Sequence, residues 1–174
     1  TLQKKMETAM TADVDTNVSD EEAAQKKMQY VLFSTKTTGS DGKSTDMSDD
    51  KKAEVKKKAE DFQKDAASAE DFSVFATAVG ASATDLTFDS DTTSPNEDLI
   101  KAADKLKEGE VTDLIDGDSS YFVARLDKEV DEDATEETRQ SIIEQRKDDL
   151  YDETLDGWKE GIEWAVKEKV WDDV

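Results

Sequence analysis

Apolar residues in this chain come in short bursts, set between long charged or hydroxyl-rich stretches, and the spacing inside each burst predicts its element. Tyr30-Val31-Leu32-Phe33-Ser34-Thr35 is the first strand-like run, aromatic and β-branched. Val111–Ile115 alternates apolar and polar as a half-buried strand does, and Ser120–Leu126 is a second run of the same kind. Between them, Asp116-Gly117-Asp118 offers the left-handed conformations that a tight hairpin turn needs. These three runs are expected to share one sheet. Helical spacing governs the intervals: Val55, Ala59, Phe62 and Ala66 fall on one face, then Phe72, Phe75, Ala76 and Val79, then Leu99, Ala102, Ala103 and Leu106. Gly109 follows the last of these where a helix C-cap would sit.

Punctuation residues set the expected boundaries. Ser19 and Glu22 make a capping box, predicting a short helix to about Gln29. Ser68 with Asp71 caps the helix that Gly80 ends, and Ser94-Pro95-Asn96-Glu97 reads as N-cap, first-turn proline and box-closing glutamate. Thr37–Ser48 reads as a flexible polar loop, and Ala81–Thr93 as loop around Leu86 and Phe88. At the start, Leu2, Met6 and Met10 mark one face of a short helix. At the end, Glu129–Glu137 is an acidic linker with Thr135 as a cap. Beyond it Ser141–Trp171 is helical, with Ile143, Leu150, Gly157, Trp164 and Trp171 recurring at heptad spacing. Leu155, Trp158, Ile162 and Ala165 broaden that surface, so Trp158, Trp164 and Trp171 are expected to be largely buried. The candidate covers are the Leu2–Met10 helix, a second copy of the chain, or a preceding segment. The division expected is an N-terminal helical arm at 1–27, a domain at 28–128 and a C-terminal helical extension at 129–174.

Composition narrows the chemistry. A net charge of −22, from 45 acids against 23 bases, excludes the basic surface that nucleic-acid binding requires. There is no cysteine and no histidine, which removes thiolate chemistry, the usual general base and the commonest metal ligand. Gly42-Lys43-Ser44 resembles the end of a phosphate-binding loop, but Thr37 stands where its first glycine belongs. Asp13-Val14-Asp15-Thr16-Asn17 resembles the opening of a calcium loop, but Val18 and Ala24 replace its glycine and closing glutamate. No apolar run approaches membrane-spanning length and no signal peptide is present. The chain opens in mid-pattern at Thr1-Leu2-Gln3, as a processed or truncated piece of a longer protein would.

Leu106-Lys107-Glu108-Gly109-Glu110-Val111-Thr112, followed by the Gly117 turn and Tyr121-Phe122-Val123-Ala124-Arg125-Leu126, resembles the end of a parvulin domain. Upstream and in family order, Tyr30-Val31-Leu32 resembles the opening strand, Glu70–Ala76 the Asp-Phe helix, and Asp85-Leu86 the Asp-Leu pair after the usual glycines. The match covers roughly Met28–Lys128. It implies an α+β fold, a parvulin-like small antiparallel sheet covered by helices, with helical extensions at both ends. It further implies peptidyl-prolyl cis-trans isomerisation, no cofactor and no metal, and polypeptide substrates that are unfolded or contain proline. Carried over position by position, the family's two histidines fall at Tyr30 and Phe122, its Cys/Asp at Ser82, and the aromatic of its proline pocket at Leu99, with Phe88 nearby.

The helical arms resemble those of extracytoplasmic foldases of the PrsA and SurA kind, where the chain after the isomerase domain returns to a chaperone module. That resemblance implies a lipoprotein outside the cytoplasm, held to the membrane only by an acylated cysteine upstream of Thr1, with a homodimer through the arms as one way to cover the tryptophans. Three functions stay open. The chain is an active isomerase using Tyr30 and Ser82 as hydrogen-bonding groups, a foldase or chaperone module with weak or absent catalysis, or an acidic domain without either activity. Tyr30 and Phe122 equally fit plain strand core.

Overall fold

Lys26–Ser34 (β1) has apolar side chains at both parities, Met28 and Tyr30 on one and Val31 and Phe33 on the other, so both of its faces are covered. The computed structural model describes residues 2–39 and 42–160. In chain order the elements are α1 (Leu2–Met10), α2 (Asp20–Ala23), β1, β2 (Lys36–Thr38), β3 (Ser44–Asp46), α3 (Asp49–Ala66) and α4 (Phe72–Ala78). They continue as β4 (Ala83–Phe88), α5 (Glu97–Ala103), β5 (Ile115–Gly117), β6 (Ser120–Lys128) and α6 (Glu132–Glu160). This is the expected α+β class with a small antiparallel sheet, in strand order β4-β1-β6-β5. The first and last predicted runs pair directly, Tyr30 opposite Ala124 and Leu32 opposite Phe122.

The chain divides into two compact units, Ala24–Glu136 and the pair Thr1–Ala23 with Glu137–Val174. In the first, the sheet separates two cores. Met28, Phe88, Leu99, Ile100, Ala103, Phe122, Ala124 and Leu126 pack on one face, under α5. Val31, Phe33, Phe62, Phe72 and Val123 pack on the other, under α3 and α4. Phe72 meets the Phe62 ring edge-on at 5.4 Å and carries the Arg125 guanidinium 5.4 Å above its own ring. In the second unit α6 buries none of its described residues. It holds the 15–22 segment by charge: Arg139 bonds the Val18 carbonyl and Asp20, while Arg146 bonds the carbonyls of Asp15 and Asn17 and, at 2.7 Å, Glu22.

Several boundaries move, each for a local reason. The Ser19–Glu22 box forms, but its helix stops at Ala23, because the Gln25 backbone is taken by Thr135 Oγ1 and by the Asp131 N–H, and β1 begins at Lys26. Ala83–Phe88 is a strand rather than loop; its exposed Thr84, Asp85 and Thr87 mask Leu86 and Phe88, which face the core. Thr37–Ser48 contains a two-stranded hairpin, β2–β3, exposed on every residue. Val111–Ile115 is interrupted. Val111 bridges Arg125, but the Ala124 N–H then donates to Thr112 Oγ1 instead of a backbone carbonyl, and pairing resumes only at Ile115. The hairpin turn is Asp118-Ser119, and Gly117 lies inside β5.

The helix caps shift similarly. Asn96 caps α5, its side chain accepting the Leu99 N–H, so Ser94 and Pro95 lie outside the helix. Asp71 caps α4, and Gly80 at φ 72° ends it, the Ala81 N–H reaching back to the Ala76 carbonyl. Gly109 does adopt φ 85°, but in a separate turn after α5 has ended, where its N–H joins the Leu126 carbonyl. The acidic linker is mostly helix: α6 starts at Glu132 and Thr135 lies within it. Trp158 is half exposed, not buried, and Leu2 and Met6 on α1 are exposed as well, so the chain's own first helix does not supply the expected cover. Trp164 and Trp171 lie outside the described residues.

Two measurements check this account. Phe72→Ala removes a ring with no exposed surface and should cost about 3–5 kcal/mol in urea unfolding, against less than about 0.5 kcal/mol for Val74→Ala on the open side of the same helix. The second concerns Asp89, which follows β4. Burial pushes its carboxyl up, but hydrogen bonds from Gln25, Thr92 and the Asp91 backbone outweigh that and hold it below the usual carboxylate range. A depressed folded-state pKa adds stability that is full above the ordinary carboxylate value and lost as pH falls through the folded one. The stability gap between wild type and Asp89→Asn should therefore be widest near neutral pH and close as pH drops below about 3.9.

Candidate functional site

The face of the sheet under α5 is where four of the five sequence-predicted site residues come together. Tyr30 projects from β1 and Phe122 from β6, on strands that pair directly, with ring centroids 6.3 Å apart and planes tilted by 52°. Phe88 from β4 and Leu99 from α5 join the same cluster, and both are wholly buried. Phe122 is nearly so, at 4% exposure, whereas Tyr30 is half-buried and packs at the margin. Ser82 stands apart: it is exposed in the connection before β4 and makes no side-chain hydrogen bond among the described residues. The two positions that matched the family's histidines are thus neighbours on one face, while the position that matched its Cys/Asp is not drawn into their cluster.

The face is covered unevenly. Met28, Ala124 and Leu126 lie beneath α5, but toward the other end Leu32, directly opposite Phe122, keeps 46% of its surface exposed. Ile115 of β5, also opposite Phe122, is partly buried against the cluster. Leu32, Tyr30, Phe122 and Ile115 therefore form an apolar strip that runs from core to solvent. Such a strip can desolvate a flat apolar group laid across it, which is what binding a proline ring requires.

Backbone geometry lets the Phe122 ring pack directly on β5. A Cβ on Gly117 would lie 2.8 Å from the Phe122 ring and 3.1 Å from the Ser120 carbonyl, so this glycine serves for space and not for a turn. Asn96, at the start of α5, borders the same point: its Nδ2 would be 3.4 Å from that Cβ. Neither Leu32 nor Asn96 was picked out from the sequence. The signal for Leu32 was the apolar parity of β1, which leaves one more side chain on this face than α5 can cover. The signal for Asn96 was its rank as an N-cap, equal to that of the serine two residues earlier.

Among the described residues no group of three or more carboxylates is placed to hold a metal ion, and no helix is long and apolar enough to cross a membrane. On the opposite face of the unit, a groove of about 330 Å³ lies along α3 and α4, floored by Phe62, Phe75 and Val79 and edged by Lys57, Lys58, Asp61 and Asp65.

Comparison with known proteins bears on the first face. Residues 21–141 match the family model described as the PPIC-type PPIASE domain. Two solved structures resemble the chain. One is foldase protein PrsA from Streptococcus pneumoniae str. Canada MDR_19A, 21% identical over 97% of this chain and 66% of that one, with a TM-score of 0.41. The other is PrsA from Bacillus subtilis, 22% identical over 95% of this chain and 63% of that one, with a TM-score of 0.33. The chain thus spans a little under two thirds of the length of each. No curated protein matches it in sequence. If the strip is the working surface, Gly117→Ala should damage it from within. The variant should lose about 1–3 kcal/mol of stability and shift the Phe122 ring resonances in NMR, whereas Gly157→Ala, in a helix and with open surroundings, should lose no stability and leave those resonances in place.

Proposed function

Because the chain belongs to the PPIC-type peptidyl-prolyl isomerase family, the parvulins, we propose that it is a foldase. It binds partly unfolded, proline-containing polypeptide on the Leu32–Tyr30–Phe122 strip and assists its folding. The observation that carries the reading is the placement of Tyr30 and Phe122, the family's two histidine positions, side by side in one apolar cluster, with Tyr30 at its margin. Phe88 and Leu99 back that surface from beneath, and Ser82 supplies at most a peripheral hydrogen bond.

Prolyl isomerisation makes and breaks no covalent bond. The task is to lower a rotation barrier of about 18–20 kcal/mol by desolvating the peptide and favouring its twisted form. An apolar strip can do the first without any titrating group. With aromatic side chains in place of histidines the second is served poorly, so turnover is slow and polypeptide binding is the larger part of the function. This is the catalytically weak form of the foldase reading. The resemblance to extracytoplasmic foldases supports a place outside the cytoplasm, in a lipid-anchored protein whose clients are exported chains. The exposed Leu2, Met6 and Trp158 are then where a second copy or a chaperone segment docks.

The test pairs a proline-limited refolding assay with an aggregation-suppression assay. Expected are clear suppression, weak acceleration of the slow proline phase, and loss of both in Leu32→Gln, which removes exposed apolar surface while leaving the fold intact. Strong acceleration that Tyr30→Phe abolishes would show an efficient enzyme instead. A protein that binds no unfolded client and speeds no proline phase would sink the foldase reading altogether.

A further inference from the structure

We propose that Asn96 is the hydrogen-bond donor that positions a bound X-Pro peptide on this face, its Nδ2 group holding a substrate carbonyl beside the Phe122 ring. The inference rests on the foldase reading and assigns it a fixed polar group outside the positions carried over from the family.

The two ends of the Asn96 amide have different fates. Oδ1 accepts the Leu99 N–H at 2.9 Å, which fixes which end is oxygen and commits that end to α5. Nδ2 is then turned away from the helix with two N–H donors, and it has no acceptor among the described residues. Its location is set by Gly117, because a Cβ there would lie 3.4 Å from Nδ2 and 2.8 Å from Phe122. The donor therefore borders the aromatic ring at a point where β5 carries no side chain. Asn96 is only half-buried, and Nδ2 is not among the buried unpartnered polar atoms, so an incoming carbonyl can reach it.

The other polar group on the strip is the Tyr30 hydroxyl, which also has no hydrogen-bond partner among the described residues. Tyrosine can rotate its hydroxyl hydrogen; the Asn96 donors cannot move, because the oxygen end is held. A donor fixed before the substrate arrives needs no reorganisation as the peptide twists. Gly117 completes the arrangement by letting the Phe122 ring and the Asn96 amide lie together against bare β5 backbone.

Asn96→Asp separates this role from capping. Aspartate keeps the acceptor for the Leu99 N–H and caps as well as asparagine, but it has no donor. The probe is an Ala-Leu-Pro-Phe peptide, followed by binding, by exchange NMR of its cis and trans forms, and by the side-chain amide resonances of 15N-labelled protein. Expected are a shift of the Asn96 Nδ2 resonances on titration, and an affinity or isomerisation rate lowered by about tenfold in Asn96→Asp with the thermal midpoint unchanged. Asn96→Ser, which caps but offers a shorter donor, should fall between. If wild type binds the peptide and Asn96→Asp matches it, the assignment of Asn96 is wrong while the foldase reading stands. Should wild type show no binding and no exchange, the two fall together.

Discussion

Antiparallel pairing of β1 with both β4 and β6 is the constraint on which the rest of the unit depends. A strand paired on both sides cannot slip without moving two neighbours. Here a slip by one residue would also exchange Met28 and Tyr30 with Val31 and Phe33, sending each to the wrong core. The register therefore fixes more than hydrogen bonds. It places Leu32 opposite Phe122, which makes the exposed end of the strip, and Tyr30 opposite Ala124, whose small side chain leaves the Phe122 ring free to approach it.

The two faces of that sheet do different work. The α3–α4 side is locked by aromatic contacts, Phe33 on Phe62, Phe62 against Phe72 and Phe75, and Arg125 above Phe72. It is the stability side, and the phenylalanine rings that lock it carry no polar group. The α5 side is covered by a helix of only seven residues, so part of the apolar surface on that face stays near solvent. A short cover is what leaves one face both core and exposed apolar surface. The high acid content acts elsewhere, on helix faces and loops, where it keeps the chain hydrated without entering either core.

How much of this was legible in the sequence followed from how each element is stabilised. Strands β1 and β6 and the core face of α3 announce themselves because burial demands long apolar patterns. Strand β4 did not, since at a sheet edge only Leu86 and Phe88 need be apolar and the threonines and aspartate around them read as loop. The break after Val111 depends on one hydroxyl, Thr112 Oγ1, replacing a carbonyl as acceptor, and no pattern encodes that choice. Gly117 was recognised as special but for the wrong property, conformation in place of space. At the site, resemblance brought Tyr30, Phe122, Phe88 and Leu99 to one cluster. It could not reveal Leu32 or Asn96, whose interest lies in exposure and in an unpaired donor.

The absence of histidine deserves weight only in proportion to what the reaction asks. Where a bond is broken, losing a general base costs the reaction its proton route. Rotation about a prolyl peptide bond transfers no obligatory proton, and its barrier comes from lost amide resonance. A site then helps by excluding water from the amide and by offering donors where the twisting peptide can use them. On the proposed reading, Leu32, Tyr30 and Phe122 meet the first requirement, and the donors within reach are a phenol and a fixed side-chain amide. The chain has no histidine, so whatever catalysis this arrangement gives should lack the pH dependence that an imidazole confers on a histidine-based site.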